Sequence, residues 1–411
     1  MNFVSQASGG ASLRNAVARW SARHRPFARW PFAYWPFAFW GLFTLVMGAV
    51  AVLKPGRPIT HIYRDATRDW WAGVPVYTDG IHGFLYFPSS AVLNGPLAAL
   101  PLGICDQVWR LALVLVFSTA VFRAATLLRP DAGARTASWV LALAIPTASI
   151  NVLRGQWELM MLAVVMHAAV DIARERNRRG GALLALAVAL KPLALVPALL
   201  FGALRPEVRR PLLLGIAAAF VVPFLHPDPA YVAGQYVAMV AKLTTAAAPD
   251  SGRWFDLSRL LTEIGLHPDY ATMTRLRVAA AMLTLVAAWA ASRRLDRPTA
   301  SLVTLMLAVF YLVLFNPRTE EGSYLNVAAL VALTAFAEIR LRPGSLVPAL
   351  LLLAVFGLGA HFYGDWIYRP TQMWLKQTVT LLLYGYPALA IATHRSLFDA
   401  DAQPVASGER R

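Results

Sequence analysis

The chain returns again and again to apolar runs long enough to cross a hydrocarbon core of about 30 Å. They lie near Phe37 to Leu53, Val108 to Leu128, Ala137 to Leu153, Trp157 to Ala173, Pro211 to Leu225, Leu276 to Ser292, Ala300 to Phe315, Ser323 to Glu338, Ser345 to Ala360 and Met373 to Thr393. No single water-soluble core hides that much apolar surface: 58% of the 411 residues are hydrophobic and 15% are charged. In hydrocarbon every backbone N–H and C=O must find its partner inside the chain, which helices achieve segment by segment. The expected fold class is an all-α polytopic membrane protein of about ten to twelve transmembrane helices with a long first outer loop.

A formal charge of +16 would suggest nucleic acid in a soluble protein. Here the arginines fall in short clusters between the apolar runs, so they read as topology signals and no nucleic-acid partner is expected. With the N-terminus cytoplasmic, every dense cluster shares that side: Arg129 and Arg135, Arg174 to Arg179, Arg205 to Arg210, Arg293 to Arg297, and Arg340 with Arg342. The implied organisation is a basic cytoplasmic segment over 1–35, a transmembrane domain over 36–393 with its first outer loop at 54–107, and a cytoplasmic tail over 394–411. The first apolar segment follows Arg14 to Arg29 and lacks a small-residue cleavage site, as a retained span would. Cys105 is the only cysteine, so neither an intramolecular disulfide nor a thiolate metal cluster is available.

The stretch from Gly181 to Leu204 carries Lys191-Pro192 at its centre. An isolated cation there is costly and proline removes a helical hydrogen bond. Two half-helices that turn with Lys191 near the outer surface resolve the conflict; such breaks are tolerated where they line a cavity or are buried in protein.

The expected outer loops hold the candidate chemistry. At helical spacing His61, Asp65 and Asp69 share one stripe, where an acid could act as general base. A surface helix with Asp65 paired to Arg68, or Arg64 to Asp69, is the plainer account. Tyr77, Tyr86 and neighbouring aromatics suit either an interfacial belt or sugar stacking. Arg154, Lys191 and Arg318 are cations on the side where cations are scarce, and they suit a phosphate; the alternative for Arg318 is an ion pair with Glu320 or Asp65. Gly-rich phosphate loops, paired-cysteine zinc patterns and His-Glu-x-x-His are absent from the sequence.

In order along the chain stand Tyr63 to Ala66, Trp70 to Tyr77, Gly83 to Pro88 with Leu93 and Pro96, Asn151 with Gly155 and Gln156, Leu190 to Pro192, and Asn316 to Arg318. This series resembles glycosyltransferase family 87, a bacterial branch of the GT-C membrane transferases, over roughly residues 37 to 390. The resemblance implies a GT-C-like bundle in the bacterial inner membrane with its site facing outward. It implies a polyprenyl-phosphate sugar as donor, with mannose the family-like hexose, a glycolipid or glycan as acceptor, and no cofactor or required metal. The implied reaction is an inverting displacement: a carboxylate takes the acceptor proton while cations steady the departing phosphate. The family's acid usually lies about four residues before the Tyr matched by Tyr63, where this chain has Ile59, Thr60 and His61, which leaves Asp65 and Asp69 as the nearest acids. The Asn of the usual Gly-Gln-x-Asn pattern is Glu158 here.

The expected site therefore comprises Asp65 or Asp69 as base, Arg154, Lys191 and Arg318 around phosphate, and His61, Tyr63, Arg64, Tyr77, Tyr86, Asn151, Gln156 and Glu320 around substrate. A transporter of lipid-linked sugar or solute, or a non-catalytic glycolipid-binding relative, would share the broken helix and the outer cations.

Overall fold

The computed structural model describes residues 35–248 and 253–398. Of the expected terminal segments, 1–34 and 399–411 lie outside the described residues. Helices are the only regular secondary structure among those described. The main ones are α1 (Trp35–Leu53), α2 (Thr60–Trp71), α3 (Leu102–Leu128), α4 (Gly133–Arg154), α5 (Trp157–Ala173), α6 (Asn177–Leu190), α7 (Leu195–Leu204) and α8 (Pro206–Val221). They continue with α9 (Pro229–Ala247), α10 (Tyr270–Arg294), α11 (Arg297–Phe315), α12 (Leu325–Leu341), α13 (Val347–Leu358), α14 (Leu375–Leu383) and α15 (Gly385–Ala392). Among the described residues seven helices are long and apolar enough to cross a membrane, so the chain is an all-α, multi-pass membrane protein.

Burial separates the centre of the bundle from its rim. α5 is apolar apart from Glu158, His167 and Asp171, and all of its 17 residues except Met160 and His167 are buried, as a helix without a continuous polar face must be. Along α1, by contrast, Leu42, Leu45, Val46, Val52 and Leu53 stay exposed. That is a surface for lipid to cover.

The expected break at Lys191-Pro192 is present. α6 ends at Leu190, Lys191 is extended (φ −148°, ψ 122°), and Pro192–Ala194 forms one 3-10 turn before α7. Two glycines report the direction of the chain. A Cβ on Gly181 would lie 2.7 Å from the Val208 carbonyl and from the Pro211 ring, and one on Gly215 would lie 2.5 Å from the Ala185 Cβ. The start of α6 therefore meets the start of α8, and their middles meet in turn, so the two run parallel in contact. Parallel neighbours require the intervening α7 to run back between them.

The arginine clusters meet at one end of the bundle. Arg123 and Arg179 both pair with Asp171, Arg297 donates to the Ile172 carbonyl at 3.0 Å and to Asn177 at 2.7 Å, and Arg340 lies 3.3 Å from Asp131. Arg342 and Arg395 reach Glu338 at 3.0 and 2.9 Å.

Two expected boundaries are corrected. The loop expected to run to Gln107 ends at Pro101, because α3 already begins at Leu102, not at Val108. The span placed at Met373 to Thr393 is two helices, α14 and α15, meeting at Tyr384. Pro387 offers no N–H, and its ring excludes the carbonyl four residues back, at Leu383.

Candidate functional site

α4 starts beside the arginine-rich end and finishes at Arg154, so the turn from Asn151 to Gln156 lies at the opposite end. Gly155, in the left-handed conformation at φ +69°, closes α4 and lets the chain reverse into α5. Two amides on this turn hold the segment that follows α11. Asn151 Nδ2 donates to the Gly322 carbonyl at 2.8 Å and Gln156 Nε2 to Glu320 Oε2 at 2.6 Å. A Cβ at Gly322 would come within 3.1 Å of both amides, so a side chain there would push the two turns apart.

The break after α6 brings Lys191 to the same place. Its ammonium pairs with Glu158 in the first turn of α5, and Asn326 on α12 donates to the other Glu158 oxygen at 2.5 Å. Both carboxylate oxygens are thereby satisfied, which a buried charge requires if it is not to destabilise the fold. Arg318 stands beside them in a different state. Its guanidinium stacks over Trp254, 4.7 Å from the ring centroid, and its Nε is buried with no hydrogen-bond partner. A buried donor left so costs about 1–3 kcal/mol, and a bound anion would recover it.

Lys191, Arg318, Glu320, Asn316 and Tyr86 line one cleft of about 190 Å³, closed on its apolar side by Leu85, Leu193, Leu243, Ala246 and Ala247. Tyr86 Oη lies 3.4 Å from Tyr63 Oη, and Tyr77 Oη donates to the Tyr86 carbonyl at 2.7 Å. Burial raises the pKa of all three phenols, so they keep their protons near neutrality and can donate. Tyr63 also packs edge-on against Tyr86, Trp109 and Trp157, with centroids at 5.5, 6.3 and 5.9 Å. Chemically, the cleft offers two cations, one carboxylate with an oxygen to spare and the Tyr86 side chain.

Not every residue singled out from sequence reaches it. α2 turns Thr60, Tyr63, Ala66, Thr67 and Trp70 to the interior, which leaves His61 and Asp65 on the exposed stripe and Asp69 half-exposed. The pairs Asp65–Arg68 and Arg64–Asp69 do not form. Arg64 and Arg68 instead donate to the Leu100 and Ala98 carbonyls at 3.0 and 3.2 Å, and the nearest cation to Asp65 is its neighbour Arg64 at 3.4 Å. Partial burial, and then the charge of Asp65, raise the Asp69 pKa. Arg154 contributes its backbone: its carbonyl accepts the Ile59 N–H at 2.9 Å and seats the start of α2. The Arg318 ion pairs with Glu320 or Asp65 are replaced by the Trp254 stack. The sequence marked Glu158 only as a departure from the family pattern, with no place in the site, and it did not single out Asn326 or Trp254. A carboxylate in the first turn of a largely apolar helix, at the Asn position of the family pattern, was the signal for Glu158.

The family model for glycosyltransferase family 87 matches residues 84–317. No curated protein matches the chain. The matched region holds most of the cleft, from Tyr86 through Gln156, Glu158 and Lys191 to Asn316, and covers more than half of the 411 residues, so the chain is a membrane glycosyltransferase that belongs to glycosyltransferase family 87.

Proposed function

We propose that the protein moves a hexose, mannose first among the candidates, from a polyprenyl-phosphate donor to a glycolipid or glycan acceptor. Transfer takes place at the end of the bundle away from the arginine clusters, which the positive-inside rule makes the outer face of a bacterial inner membrane. The observation that carries this reading is the joint presence of Lys191, Arg318 with its unpartnered Nε, and Glu320 in one cleft.

In this reading Lys191 and Arg318 hold the donor phosphate. Glu320 Oε2 is fixed by Gln156, and its other oxygen receives the acceptor hydroxyl proton. The acceptor oxygen then bonds to the anomeric carbon as the bond from that carbon to the phosphate oxygen breaks, and the phosphate departs with its charge between the two cations. Glu320 takes the base role expected of Asp65 or Asp69 because it is the acid that lines the cleft. No metal takes part in these steps.

The test is transfer of radiolabelled sugar from a panel of polyprenyl-phosphate donors in membranes carrying the wild type, Glu320→Gln, Arg318→Ala or the double variant Asp65→Asn/Asp69→Asn. Loss in the first two variants with retention in the double variant supports the cleft; the reverse pattern moves the base to α2. Movement of an intact donor across reconstituted vesicles without product would favour a transporter.

A further inference from the structure

Lys242, on α9, is buried with only 5% of its surface exposed, and its side chain does not end on a carboxylate. Its Nζ lies 2.6 Å from the Thr78 carbonyl oxygen, 3.3 Å from Asp79, 2.8 Å from Gly80 and 2.5 Å from His82. An ammonium has three protons to give and no lone pair, and here it is enclosed much as carbonyl rings enclose a monovalent cation. Four carbonyl dipoles aimed at one point repel one another unless positive charge stands there. The loop over residues 78–82 therefore owes its shape to a cation supplied from another element.

The same helix ties down the strand of chain that leads into this loop. Gln235 accepts the Val76 N–H at 3.0 Å and Tyr231 donates to the Val74 carbonyl at 2.7 Å. Val232, Gln235, Met239, Lys242 and Ala246 make one buried stripe along α9. Both partners then run on into the cleft: beyond the loop come Leu85 and Tyr86, and beyond Lys242 come Leu243, Ala246 and Ala247. Lys242 joins the two segments that close the cleft on its apolar side.

We propose that Lys242 is a positioning residue for glycosyl transfer, an internal cation around which residues 78–82 fold and which holds Tyr86 and the end of α9 against the bound donor. It touches neither the cations nor the carboxylate of the cleft. The inference rests on the cleft being the donor site. It separates Lys242 from an ordinary buried lysine, because a site of this kind accepts a substitute ion.

The experiment compares wild type, Lys242→Ala and Lys242→Met, each as the full chain in membranes. Displacement of a cleft wall by about 1 Å is worth on the order of 100-fold in rate. Lys242→Ala should lose roughly that factor in kcat/KM for the donor, and added ammonium or methylammonium chloride should recover part of it. Tetramethylammonium, too large for the ring, should not, and Lys242→Met, whose stem fills the space without charge, should not respond to any of them. A second readout needs no activity. Ile81, buried inside the loop, is changed to cysteine in a Cys105→Ala background and its maleimide labelling is timed. Labelling should be slow with Lys242 present, fast in Lys242→Ala and slow again with ammonium. If Lys242→Ala does not survive purification, the labelling comparison is made on Lys242→Met.

Labelling as slow as wild type in the Lys242 variants, or loss in Lys242→Ala that ammonium leaves untouched in both readouts, overturns the proposal; in Lys242→Met labelling should be fast with or without ammonium. If the wild type transfers from no polyprenyl-phosphate donor while labelling behaves as stated, the donor assignment fails and the Lys242 ring stands.

Discussion

Glu320 and Glu158 are both carboxylates at the cleft, yet their surroundings give them different work. Glu158 has both oxygens engaged, by Lys191 and by Asn326, so it holds a cation in place and has no oxygen free of protein partners. Glu320 has one oxygen committed. Glu320→Gln should therefore lower transfer by about 10²–10⁴-fold, the usual worth of a general base, with the level of membrane-inserted protein unchanged, while Asp65→Asn and Asp69→Asn stay within about twofold of wild type. Glu158→Leu alone leaves the Lys191 ammonium buried without its carboxylate and should destabilise the protein by about 3–5 kcal/mol. Adding Lys191→Met should restore the melting temperature in detergent but not transfer, which separates the pair's structural role from the cation's chemical one. A pH dependence of stability follows from His361, beside Lys376 at 2.9 Å. Burial first, and then the Lys376 charge, lower its pKa to about 3, against about 6.5 in an unfolded chain. Between those values the unfolded state binds the extra proton, so the histidine's contribution to stability is intact above pH 6.5 and falls as pH drops toward 3. Thermal unfolding between pH 7.5 and 4.5 should shift more steeply in wild type than in His361→Gln.

At the scale of elements, the broken helix is what brings α5, α12 and the segment after α11 to a common cation. A continuous helix through Gly181 to Leu204 would keep Lys191 within the bilayer and leave Glu158 without its partner. The fold-back needs α6 and α8 to approach at glycine distance, and Gly181 has backbone, not a flexible side-chain tip, against the position of its missing Cβ. Gly181→Ala should cost about 1–3 kcal/mol as an overpacked contact, read as a lower unfolding temperature. It should also lower transfer, since α6 carries Lys191. Gly202, whose missing Cβ faces only the end of the Leu212 side chain at 3.3 Å, should tolerate the same change with a smaller shift.

For the molecule as a whole, one end is held by arginine networks on Asp171, Glu338 and Asp131 and the other carries the cleft. In a Cys105→Ala background, cysteines placed at Arg135 and at Asp79 should be labelled by an impermeant maleimide from opposite sides of the membrane, with Asp79 reached from outside intact cells. Labelling of both from one side would overturn the outward placement. A chelator should leave transfer unchanged in the proposed reaction. The helical, multi-pass character, the clustering of arginines at one end, the break at Lys191 and the order of the motifs were all readable along the chain, because each depends on local composition or on the fixed rise and turn of a helix. The same reading put α14 and α15 into one span, and it drew His61, Asp65 and Asp69 as a stripe with a surface helix the plainer account, but paired its acids with Arg64 and Arg68, which bond the Leu100 and Ala98 carbonyls instead. Helical periodicity says which residues share a face; it does not say what that face meets. By itself the sequence determined a multi-pass helical protein with a family-like series of motifs. Only the tertiary structure decided which acid lines the cleft, that Glu158 holds Lys191, and that Lys242 serves the loop before Tyr86. Those are contacts between residues 33, 164 and 160 positions apart, set by how helices pack and invisible to any local pattern.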